Sequence, residues 1–244
     1  MLLGRLPSSS MKLDNVQKLR EISLAWVLSR MLTIWIVGDV GFYILLPMLD
    51  IDTSYSAAPI AIALYYAALT SIAVFTFWPL FRGWRPAENR AHIYLFLAAF
   101  FGVAVLFVSY ALPLLPPIQW IESWNPPELM IATSWYFLPK SIEILLQQLL
   151  IAALVIAFTA HGHSVRTTGI WCAVLFGGAH MLLVFGGLPF AYVIRFSAAA
   201  VLAAFAFTYL LTRVSSGFVY AYALHWFYYA LTIYMAHTIS PYAQ

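Results

Sequence analysis

Charge is what this chain has least of. Lys and Arg number 12 and Asp and Glu 9, together 9% of 244 residues, where a soluble domain carries about 25%. A chain this poor in charge has no means of covering itself in water, which excludes an ordinary soluble enzyme or binding domain. Cysteine is nearly absent as well. The single Cys172 lies in an apolar stretch, so neither a disulfide framework nor a cysteine-based metal site is available. There is no internal repeat and no second domain. The first twenty residues, with Pro7 and Ser8-Ser9-Ser10, are polar. They do not read as a secretory signal, which needs a short apolar core ahead of a cleavage site. The formal charge of +3 is small, and the basic residues sit where membrane topology accounts for them, so no nucleic-acid partner is expected.

What is abundant is apolar surface. Hydrophobic residues make up 64% of the chain and mean hydropathy is +0.88. The expectation is an all-α, multi-pass membrane helix bundle with the lipid bilayer as its first partner. A spanning helix needs about 20 mostly apolar residues, and seven stretches qualify: 24–48, 58–80, 92–115, 130–159, 168–187, 190–212 and 216–237. Pro139 lies in the fourth, which is expected to kink there or to start in earnest near Lys140. A re-entrant turn at that point would raise the count to eight. Residues 11–22 read as a short surface helix lying on the membrane. The expected organisation is therefore a 1–23 cytoplasmic segment, a single 24–237 transmembrane domain and a short 238–244 tail.

Loop charges suggest an orientation. Arg5, Lys12, Lys18 and Arg20 precede the first span. Arg82, Arg85 and Arg90 follow the second, Arg166 follows the fourth and Arg213 the sixth. The intervening loops carry Asp50 and Asp52, then Glu122 and Glu128. Positive residues stay inside, so the N-terminus is expected in the cytoplasm and, with seven spans, the C-terminus outside.

Against this background three ionisable residues stand out within spans: Glu143, His180 and His225. Each such group costs about 2.5–3.5 kcal/mol at a helix centre on insertion scales, and chains that keep them use them for ion pathways, proton relays or chemistry. On the expected topology Glu143 lies about 10 Å from the outer end of its span, at roughly 1.5 Å per residue. His180 and His225 also fall between the bilayer centre and the outer third. Agreement in depth on three separate helices suggests one shared site. Lys140, Glu143 and Gln147 are spaced i, i+3, i+7 and so share a helical face, which must look into the bundle interior or a water-filled cavity. A bland account also exists: a Lys140–Glu143 structural clamp with Gln147 as an interhelical donor, His180 as a hydrogen-bonding strut, and His225 packed among Tyr220, Tyr222, Trp226, Phe227, Tyr228 and Tyr229.

Residues 176–180 read Phe-Gly-Gly-Ala-His and resemble the F-x-x-x-H motif of the CAAX-protease/bacteriocin-processing family of intramembrane proteases. The order of features is similar too: a Glu-bearing helix with Glu143, then Phe176 and His180, then a third helix whose His225 matches the histidine of H-x-x-x-N. The resemblance covers about 100 residues, from Pro139 to Tyr234. It implies a membrane bundle in which Glu143 activates a water while His180 and His225 assist or bind a metal. Substrates of such a protein are membrane-anchored or lipidated peptides and proteins. The chain departs from the family pattern E-E-x-x-x-R, since with Glu143 in either acidic position one Glu and the Arg are missing. The motif-three Asn is replaced by Tyr229, whose hydroxyl still offers one hydrogen bond.

Peptide hydrolysis needs a water, a base and a group for the oxyanion. A single zinc ion held by Glu143, His180, His225 and a water fits a catalytic site in ligand number, but leaves no second Glu as base. The readings left open are a divergent intramembrane protease, a catalytically inactive scaffold or subunit of a membrane complex with partner membrane subunits, and, more remotely, a small transporter or proton pathway. No paired broken helices or repeats favour the last.

Overall fold

The computed structural model describes residues 13–84, 90–118, 127–186 and 188–238. Expectations resting on Arg5, Lys12, Arg85, Glu122 and the tail beyond 238 lie outside the described residues. Among the described residues the chain is helical and has no strand. The α-helices are α1 Leu13–Arg20, α2 Leu24–Val40, α3 Leu46–Met48, α4 Pro59–Gly83, α5 Arg90–Leu106, α6 Phe137–Ala160, α7 Val165–Cys172, α8 Gly178–Met181, α9 Phe190–Arg213 and α10 Gly217–Thr238. Three π-helical segments, Gly41–Leu45, Phe107–Ala111 and Ala173–Gly177, continue α2, α5 and α7 without breaking them.

Among the described residues six helical stretches are long and apolar enough to cross a membrane: Leu24–Met48, Pro59–Gly83, Ala91–Leu114, Ser134–Ala160, Val165–Phe185 and Phe190–Arg213. They mark an integral membrane protein. The seventh expected stretch is helical as well, α10 having 22 residues, which at roughly 1.5 Å per residue is long enough to span. It is not among the six, because five tyrosines, Trp226 and two histidines dilute its apolar character. The re-entrant turn considered around Pro139 does not form, since α6 runs unbroken from Phe137 to Ala160. Pro139 is only its third residue, where the missing N–H is one that a helix start leaves unpaired anyway. A 3₁₀ turn, Ser134–Tyr136, leads into it.

α6 is the most buried of the six stretches. Of its most apolar stretch 67% is buried, against 17% for Ala91–Leu114 and 28–33% for the other four. That fits its composition: a polar stripe that lipid would not tolerate, followed by an all-apolar run from Leu149 to Phe158. Its C-terminus closes on Gly162, whose φ of +84° suits glycine. The His163 N–H returns to the Phe158 carbonyl and the Gly162 N–H to that of Thr159, the Schellman pairing that satisfies terminal carbonyls. The Arg20 Nε donates to the Ala160 carbonyl at 2.7 Å, placing a cation at the negative end of the helix. Ser164 then caps α7 by accepting the Thr167 N–H.

The chain divides into two compact units, residues 1–33, 73–90 and 148–221 in the first and 34–72, 91–147 and 222–244 in the second. The division falls within α2, α4, α6 and α10 and after the first residue of α5. Glu143 and His225 belong to the second unit and His180 to the first.

Candidate functional site

The second unit contains the polar centre. Lys140, Glu143 and Gln147 line one face of α6, as their spacing requires. The Lys140 ammonium meets Glu143 Oε2 at 2.7 Å, and Gln147 Nε2 donates to Oε1 at 2.8 Å. The two charged side chains are only 10% and 13% exposed. A buried acid of this kind is tolerated only when it is paired and hydrogen-bonded, and both conditions are met here.

The fourth member of the centre is Tyr55, from the segment between α3 and α4. Its hydroxyl donates to Glu143 Oε2 at 2.7 Å and lies 2.8 Å from the Tyr66 hydroxyl on α4. Burial first, and then the Glu143 carboxylate beside it, hold the Tyr55 phenol well above its usual range, so it stays protonated and remains a donor. Aromatic faces complete the surround of Lys140. The ring of Tyr229 is 4.3 Å from the ammonium, that of Tyr55 5.3 Å and that of Tyr136 6.0 Å. A desolvated cation among tyrosine faces gains from their quadrupoles. Tyr229, expected to stand in for a family Asn, therefore presents its ring to Lys140.

α10 is fastened to this face of α6. Trp226 Nε1 donates to Ser141 Oγ and the Tyr222 hydroxyl to the Ser141 carbonyl, each at 3.1 Å. The Trp226 ring lies 4.9 Å from that of Phe137. Tyr222, Trp226 and Tyr229 recur at i, i+4, i+7 and so share one side of the helix. His225 stacks on Tyr229 with ring centroids 5.5 Å apart. Glu143 and His225 thus contribute to one unit, with Tyr229 packed against both the histidine and the Lys140 ammonium.

His180 sits elsewhere in the chain's organisation. In the first unit its Nδ1 lies 2.6 Å from the Phe176 carbonyl one turn back, and its ring stacks on Phe196 of α9. Phe176 itself is buried, within the π-helical segment Ala173–Gly177.

Among the described residues no group of three or more His, Cys, Asp or Glu side chains is placed to hold a metal ion. Of the expected zinc ligands, Glu143 and His225 belong to the second unit and His180 to the first. At Glu143 the oxygens already accept from Lys140, Tyr55 and Gln147. A divalent ion at Glu143 would also lie against an ammonium, which Coulomb repulsion disfavours.

Two further residues escaped the reading by spacing. Glu128 accepts from Ser54 Oγ at 2.9 Å, from the Tyr55 N–H at 3.0 Å and from the Ser56 N–H at 2.8 Å. Tyr66 packs with Tyr55 and Phe42. Comparison with protein-family models, with curated proteins and with solved structures returned no match.

Proposed function

We propose that this chain is a catalytically inactive scaffold, or subunit of a membrane complex, built on the bundle of the intramembrane-protease family it resembles, and that Glu143 is its internal ionic anchor. The observation that carries this reading is the occupancy of the carboxylate. A general base must offer a lone pair to a water, and of the roughly four acceptor positions of a carboxylate three are committed within the protein: two on Oε2, one of them to an ammonium, and one on Oε1. The absence of the family's second Glu and Arg points the same way. In this reading α10 is a seventh span, the N-terminus is cytoplasmic and the C-terminus lies outside.

Glu143→Gln tests the proposal. An anchor that loses its charge leaves Lys140 buried and unpaired, so the thermal stability of the purified protein falls by about 3 kcal/mol or more. A catalytic residue behaves oppositely, because active sites hold groups at the expense of stability. The proposal fails if the variant is as stable as wild type and loses cleavage of a membrane-anchored peptide that wild type performs. That outcome would restore the divergent protease, a reading favoured by one observation: His225 packs on Tyr229, whose ring faces the partner of Glu143.

A further inference from the structure

We infer that residues 49–58 form a strap closed over the Lys140–Glu143 pair, with Tyr55 as its plug and Glu128 as its latch. The strap opens with a residue in the left-handed region, Asp50 at φ 55°, and has turns but no regular helix until α4 begins at Pro59. Ser54 stiffens it locally, taking the Ala57 N–H on Oγ while its own N–H donates to Asp52 Oδ1. Its ties to the segment 127–136 converge on one side chain. Three consecutive residues, Ser54, Tyr55 and Ser56, donate to the Glu128 carboxylate, and a longer contact of 3.5 Å joins the Thr133 N–H to Ser56 Oγ.

That fixed backbone aims the Tyr55 side chain inward. Its ring packs against Phe42, Tyr66 and Tyr136, at centroid distances of 5.7, 6.1 and 5.2 Å, and its hydroxyl fills an acceptor position on Glu143. The three Glu128 bonds are charge-assisted and act together, so a change at that one carboxylate releases three neighbouring residues and the plug they carry. Glu128 touches neither Glu143 nor Lys140 by any of these bonds. It is a positioning residue, acting through the strap. The inference holds whether Glu143 is an anchor or a base, so it stands or falls separately from the functional proposal.

A hydrophobic carbodiimide, which modifies carboxyl groups within membranes, reads the strap directly. Purified full-length protein in lipid vesicles is treated, and adduct formation at Glu143 is followed by peptide mass spectrometry, with Glu143→Gln marking the background. Glu128→Gln sets an amide NH₂ among N–H donors and should speed adduct formation at Glu143 by roughly tenfold, the factor expected when about one charge-assisted hydrogen bond is lost from the closed state. Tyr55→Phe should do the same, while adduct formation at Glu21, an exposed carboxylate outside the strap, stays at the wild-type rate in both. A second device does not depend on those variants folding. A disulfide between Ser56→Cys and Thr133→Cys should hold the strap shut and suppress the adduct, with reductant restoring it. Equal Glu143 modification in wild type and Glu128→Gln, or in the oxidised and reduced crosslinked protein, overturns the inference.

Discussion

In the unit that carries Glu143, helices and connecting segments are joined by polar side chains: Lys140, Gln147 and Tyr55 on one carboxylate, Ser54, Tyr55 and Ser56 on another, and Tyr222 and Trp226 on Ser141. In the unit that carries His180 the joining is by close approach. A Cβ placed on Gly169 would come within 2.7 Å of the Phe205 ring, and one on Gly177 within 2.5 Å of Val201 Cγ2. Small residues that let helix backbones approach are the usual solution between helices in lipid, where apolar burial gives no drive to associate. The polar solution is costlier and needs every group satisfied. What sets the second unit apart is a buried Lys, Glu and ring of tyrosines gathered in one place, for which a bundle has no packing need.

The difference should be largest at Lys140. Lys140→Met keeps much of the side-chain volume but leaves Glu143 buried without its cation. The expected loss is about 3–5 kcal/mol in thermal or denaturant unfolding of the detergent-solubilised protein, the usual cost of stranding one member of a buried pair. Lys140→Met combined with Glu143→Gln should recover a substantial part of it, since contacting partners are not additive. If the double variant shows the simple sum of the two single losses, the pair is not the unit's organising interaction.

A smaller effect tests the other unit by its own logic. Gly177→Ala places a methyl against Val201, and overpacking of that kind costs roughly 1–3 kcal/mol. Val201→Ala in the same chain should remove most of the penalty, because the obstruction is a side chain that truncation clears. Persistence of the full penalty in the double variant would mean that this unit does not rely on close approach at Gly177.

How much of this was legible in the sequence follows from range. The apolar helices were legible because each carries its signal within about 20 residues. So was the Lys140–Glu143–Gln147 face, since helical geometry alone makes positions three, four and seven apart neighbours. Tyr55 and Glu128 were not. Tyr55 reaches Glu143 across 88 residues and Glu128 holds the Tyr55 backbone across 73, from segments with no period to read. Glu128 registered only as a loop charge that helped to orient the bundle. α10 reads as a span on length and apolar content, and Tyr222, Trp226 and Tyr229, which dilute that content, are among the residues that tie it to α6. The metal trio came from residue type and depth along the chain. Neither carries information about whether a carboxylate's acceptor positions are already taken.

The finest contrast concerns His180. On the geometry it is a strut: Nδ1 on the Phe176 carbonyl, ring on Phe196. His180→Ala should then cost about 1 kcal/mol, the net worth of an ordinary hydrogen bond, together with some loss of ring packing. Its metal content, measured by mass spectrometry on the purified protein, should equal that of wild type. A ligand behaves differently, because removing one of three protein ligands from a zinc site abolishes stoichiometric binding. A stoichiometric zinc in wild type that disappears in His180→Ala would therefore reinstate the Glu143–His180–His225 set. It would also require Glu143 to leave Lys140 for the metal, a rearrangement that the Lys140→Met variant should then make easier rather than harder.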